Sequence, residues 1–156
     1  MLRTISTLAA STRLFNGLAL AQAPATSPAP TAAPGLPRTA SPAGAKAYIV
    51  SPANGATVKS PFKVVFGLTG MGVAPAGVQF ENAGHHHLLI DTDLPKDLGM
   101  PLPADAKHVH FGKGQTETTV TLPPGKHTLQ LVLGDHLHIP FNPPVVSEKI
   151  TVTVAP

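Results

Sequence analysis

Three consecutive histidines, His85, His86 and His87, run into the apolar stretch Leu88-Leu89-Ile90, which stops at Asp91. In a strand successive side chains point to opposite faces, so His85, His87 and Leu89 share one face and His86, Leu88 and Ile90 the other. Two imidazoles two residues apart on one face can both reach a single metal ion. The same spacing recurs at His108-Val109-His110 and at His136-Leu137-His138, so three His-x-His pairs take six of the eight histidines. Neutral imidazole is the commonest protein ligand for zinc, copper and nickel. The candidate ligands are therefore His85, His87, His108, His110, His136 and His138, with the thioether of Met71 as a soft partner.

The rest of the composition narrows the chemistry. There is no cysteine, which removes disulfides, thiolate zinc sites, iron–sulfur clusters, a blue-copper centre and a cysteine nucleophile. A His/Met set without Cys favours copper, with zinc the alternative. No G-x-S-x-G or H-E-x-x-H pattern occurs, so no catalytic residue is assigned. His86, set among Leu88 and Ile90, reads as a core residue. His127 follows a turn and reads as structural. Asp135 beside His136 is placed to orient an imidazole or to start a turn. Asp91, Asp93 and Asp97 lack calcium-loop spacing and read as turn formers. Met100 reads as packing.

The elements that must position these residues are strands. The chain of 156 residues has 18 Pro and 14 Gly but few aromatics, a loading that suits short strands and turns. Alternation marks strands near 47–50, 62–68, 85–90, 107–111, 116–122, 127–133 and 150–154. No stretch keeps a helical period over ten residues. About seven strands predict an all-β, immunoglobulin-like antiparallel sandwich, with a small antiparallel barrel the alternative. If the strands alternate in direction, all three His-x-His pairs fall at one end and only His127 at the other.

Residues 1–23 read as a signal peptide, with Arg3 and Arg13, a short apolar run from Leu14 to Ala21, and the cleavage site Ala21-Gln22-Ala23. Residues 24–45 read as a Pro/Ala-rich disordered linker, and 46–156 as the His-rich domain. The expected location is periplasmic or secreted, with no apolar stretch of the ~20 residues a membrane span requires. From Lys46 onward, eight Lys meet eight acids, and a neutral, aromatic-poor domain is a poor nucleic-acid binder.

Several motifs also resemble one bacterial exported domain. They are Gly84 to Asp91, Gly114-Gln115-Thr116-Glu117-Thr118, Leu122 to Leu131, Gly134-Asp135-His136 and Pro143-Pro144. That domain is catalogued as a domain of unknown function, family 4399, whose members often carry an unsupported rod-shape-determining label. The resemblance covers roughly Tyr48 to Val154 and implies export and a β fold, with no established activity. It also leads one to expect a histidine after Pro140, where this chain has Phe141. Three functional readings stand: an exported, non-catalytic copper carrier or buffer; a metal-free interaction module of the cell envelope; and a metal-dependent redox enzyme. Metal analysis separates the second from the other two.

Overall fold

Alternating apolar residues form strands where one face of the chain has a second sheet to cover it. The computed structural model describes residues 36–156. The expected signal peptide, and residues 24–35 of the expected linker, lie outside the described residues. Nine strands form: β1 (Lys46–Ser51), β2 (Thr57–Lys59), β3 (Phe62–Thr69), β4 (Gly72–Val73), β5 (Ala83–Ile90), β6 (His108–His110), β7 (Glu117–Val120), β8 (Gly125–Gly134) and β9 (Ile150–Ala155). One sheet has the order β1-β3-β7; the other has β2-β9-β8-β5-β4, with β6 also on β5.

This is an all-β sandwich, and its strand order is immunoglobulin-like. The fifth and eighth strands pair centrally, the ninth flanks the eighth, and the first, third and seventh form the opposing sheet. It is not wholly antiparallel, because β2 runs parallel to β9 and β4 parallel to β5. These two strands, of three and two residues, are too short to show alternation and account for the difference between seven strands expected and nine found.

The core between the sheets is made by Val64 and Phe66 of β3, Leu88 and Ile90 of β5, Leu129, Leu131 and Leu133 of β8, and Val152 and Val154 of β9. A smaller apolar cluster lies on the other face of β5 and β8, where Leu89 and Val132 meet Leu102. Residues 91–107 supply Leu94 and Leu102 to this cluster, and Leu102 N donates to His138 O at 2.9 Å. Every residue of β5 is consequently buried. The segment 91–103, whose Asp91, Asp93 and Asp97 read as turn formers, returns across the outer face. Met100, expected to pack, is exposed.

Residues 36–45 also depart from expectation. Ser41 N donates to Asn142 O at 3.1 Å, and Asn142 N to Thr39 O at 2.8 Å. Arg38 Nε donates to Pro140 O at 3.0 Å. The backbone groups of this part of the expected linker are satisfied by the loop after β8, so it is folded against the domain.

Leu131 is fully buried between the sheets, so Leu131→Ala removes transfer energy and leaves a cavity. The expected loss is about 2–5 kcal/mol, read as a lower urea midpoint with an unchanged slope. A loss under about 1 kcal/mol would place Leu131 outside the core.

Candidate metal centre

Register on the outer face of the second sheet brings the imidazoles together. In β5 against β6, His87 faces His110 and Leu89 faces His108. In β5 against β8, His85 faces Gly134 and His87 faces Val132. Directly opposed residues share a face, so His85, His87, His108, His110 and Gly134 all lie on the side away from Phe66. The loop after β8 then folds over that face and supplies His138.

Four of these rings converge. One ring nitrogen from each of His85, His87, His110 and His138 lies within 4.8 Å of the other three. His85 Nε2 is 3.1 Å from His138 Nδ1 and 3.1 Å from His87 Nε2. Ring centroids within the cluster are 4.7–6.0 Å apart. Nitrogens around a tetrahedral zinc at ~2.0–2.1 Å stand about 3.3 Å from one another; the two 3.1 Å separations at His85 Nε2 are close to that distance, and the remaining ones stay within 4.8 Å.

Glycines make the room. A Cβ on Gly112 would come within 2.3 Å of the His110 ring, and one on Gly134 would lie 3.1 Å from His87 Nε2. A Cβ on Gly84 would sit 2.5 Å from Gly134 O and 2.8 Å from the Phe141 ring. Phe141, where the resemblance leads one to expect histidine, is buried in the main core.

His138 is held from several directions. Its backbone has φ 66°, a left-handed conformation that costs an L-residue roughly 1–2 kcal/mol. Its N–H donates to Asp135 O at 2.9 Å, and its carbonyl accepts from Leu102 N at 2.9 Å. Buried Asp135 shapes the turn, its Oδ1 accepting from Leu137 N at 2.9 Å and Ile139 N at 3.0 Å. Asp135 thus starts the turn that presents His138, one of the two roles open to it from sequence.

Burial keeps the His85, His87 and His110 rings neutral. Burial lowers His85 to about 4, helped by His138 and His110. Burial lowers His87 to about 3, helped by His85 and His110, and lowers His110, with His138 adding to it. Neutral imidazole is the ligand form. A neutral ring nitrogen carries either a proton or a lone pair, so His85 Nε2 cannot donate to one neighbour and accept from the other. His110 Nε2 is buried without a hydrogen-bond partner, as are Nδ1 of His85 and of His87. Each such atom costs about 1–3 kcal/mol. A cation accepting the four inward lone pairs satisfies His110 Nε2 and removes the conflict at His85 Nε2. The donor set therefore fits a transition-metal ion.

The other candidates lie elsewhere. His108 shares the face, but its Nδ1 pairs with Asp105 Oδ1 at 2.9 Å. His136 lines a surface groove with Phe80 and Glu81. Met71 is half-buried against the main core. His86 is fully buried, its ring centroid 5.2 Å from that of Phe66, as expected of a core residue. His127, at the start of β8, contacts Asp91 Oδ2 at 2.6 Å and donates through Nε2 to Pro123 O at 2.9 Å. It occupies the place of the hydrogen-bonding corner tyrosine of immunoglobulin-like folds.

Fold and site together define a β-sandwich domain with a four-imidazole cluster at one end. The chain belongs to the family described as a domain of unknown function (DUF4399), whose model matches residues 64–155. All four clustered histidines fall inside that match. No curated protein and no solved structure gives a significant match.

Two outcomes follow from this geometry. In metal-free protein the unfolded chain protonates His85, His86 and His87 near the ordinary 6.5, whereas the folded chain holds them at about 4, about 4 and about 3. Their contribution is complete above pH 6.5 and is lost as pH falls toward 4. His127, raised chiefly by its hydrogen bond to Asp91, has the opposite sign and loses its contribution as pH rises. Urea midpoints of chelator-treated protein should drop between pH 7 and pH 5; a flat profile would contradict the burial of these rings. Secondly, a Cβ on Gly112 displaces chiefly the His110 ring, with Ala76 Cβ next at 3.2 Å, so Gly112→Ala should lower metal affinity about tenfold or more and metal-free stability much less. Unchanged affinity would remove His110 from the site.

Proposed function

We propose that this domain is an exported, non-catalytic metal-binding protein, a carrier or buffer. It takes one copper or zinc ion through His85, His87, His110 and His138. The observation that carries the reading is the convergence of four imidazole ring nitrogens within 4.8 Å, at a net cost that a bound cation reverses. Structural zinc ions bind with about 10–16 kcal/mol in small domains, more than enough to offset a few unpaired nitrogens.

Four imidazoles fill a tetrahedral shell and leave no position for a substrate, which favours binding over catalysis. Divalent copper stands above zinc for nitrogen donors, so copper is the first choice. With Met71 against the core, that choice rests on imidazole rather than on a thioether. His110 and His138 are half-buried, which leaves the ion within reach of solvent and suits exchange. Export, to the periplasm or beyond, rests on the Ala21-Gln22-Ala23 signal and on a ligand set that needs no thiol. Among the described residues no helix is long and apolar enough to cross a membrane.

The test is competitive titration of untagged protein with Cu(II) and Zn(II). Wild type should bind one ion. His87→Ala combined with His110→Ala should weaken binding by more than about 100-fold, beyond the usual effect of losing an outer partner. His108→Ala, His136→Ala and His127→Ala should retain it. Wild type that takes up neither ion after reconstitution would leave the domain an interaction module instead.

A further inference from the structure

His138 is the one clustered histidine outside a strand. Its left-handed backbone must be held by contacts, because nothing in the sheet register fixes it. Those contacts lead to the segment 36–41. Thr39 Oγ1 donates to Asp135 Oδ2 at 2.7 Å. That is the second oxygen of the carboxylate whose first oxygen accepts from Leu137 N and Ile139 N, on either side of His138.

The same segment grips the rest of the loop. Arg38 donates to Pro140 O and Phe141 O. Ala40 forms a parallel bridge with Asn142, and Ser41 Oγ donates to Pro143 O at 2.8 Å. Leu36 N donates to Gly99 O at 3.1 Å, in the segment whose Leu102 holds the His138 carbonyl. The strap thus touches both loops that fix His138, and no residue of it is itself a candidate ligand.

We propose that residues 36–41 are a positioning strap for His138, so that docking of the strap and binding of metal are coupled. This rests on the metal-binding reading of the four-imidazole cluster. Coupling is reciprocal: bound metal tightens the strap, and loss of the strap loosens the metal. Thr39 is the central residue, because its hydroxyl completes the buried carboxylate that sets the turn.

The experiment uses the full chain and Cu(II) as probe. Thr39→Val keeps size and removes the hydroxyl, whereas Thr39→Ser restores it. Affinity should fall about tenfold in Thr39→Val, in the range for lost outer partners of metal ligands, and return in Thr39→Ser. The Cu(II) electron paramagnetic resonance spectrum should change in Thr39→Val toward that of His138→Ala. A Thr39→Val protein with wild-type affinity and spectrum overturns the strap and leaves the metal site standing. Wild type that binds no Cu(II) or Zn(II) overturns both. A second measurement needs no variant: loading wild type with metal should slow hydrogen exchange at the amides of Ser41 and Asn142. Exchange unchanged by metal contradicts the coupling.

Discussion

Burial of β5 on both faces is the constraint from which the rest of the structure follows. A strand in a two-sheet sandwich ordinarily covers one face and wets the other. Here Leu88 and Ile90 fill the space between the sheets, while His85, His87 and Leu89 are equally buried on the outer side. Covering that second face requires the segment 91–107 to fold back over Leu89 and the loop after β8 to fold over His85. Those two segments then fix His138. The four-imidazole cluster is built where they meet.

Polar rings so placed are costly until something accepts their lone pairs. Net stability of a domain is about 5–15 kcal/mol, and several unpaired buried nitrogens use a sizeable part of it. The chain accepts this cost with small residues as well as with histidines, since Gly112 and Gly134 yield their side-chain volume to imidazoles. The charge of Asp135 favours a proton on His85 and equally favours a cation beside it. One carboxylate thus organises the turn, anchors the strap through Thr39 and lends the site a negative charge.

Strand alternation carried the fold: the apolar residues at 62, 64 and 66 and at 129, 131 and 133 face inward as their spacing requires. The same spacing separated His86 from His85 and His87, and strand direction gathered three pairs toward one end. Spacing could not say which member of each outer pair would turn inward. His108 and His110 share a face, but register sets His110 against His87 and His108 against Leu89, and His108 Nδ1 pairs with Asp105 Oδ1. His138 rather than His136 enters the site because the Asp135 turn forces a left-handed residue there, a feature without period. Met71 lay at the correct end, but an apolar thioether gains more from the core. The strap was hidden for the same reason: Leu36-Pro37-Arg38-Thr39-Ala40-Ser41 carries no apolar pattern, and it is attached by hydroxyls, a guanidinium and backbone groups.

The most direct measurement of the central claim is X-ray absorption at the metal edge of protein loaded with one equivalent of copper or zinc. Four histidines around one ion give a first shell of four nitrogen donors, with imidazole multiple scattering and no sulfur. A shell containing a thioether, or one built mainly of water oxygens with two or fewer imidazoles, would contradict a four-histidine centre.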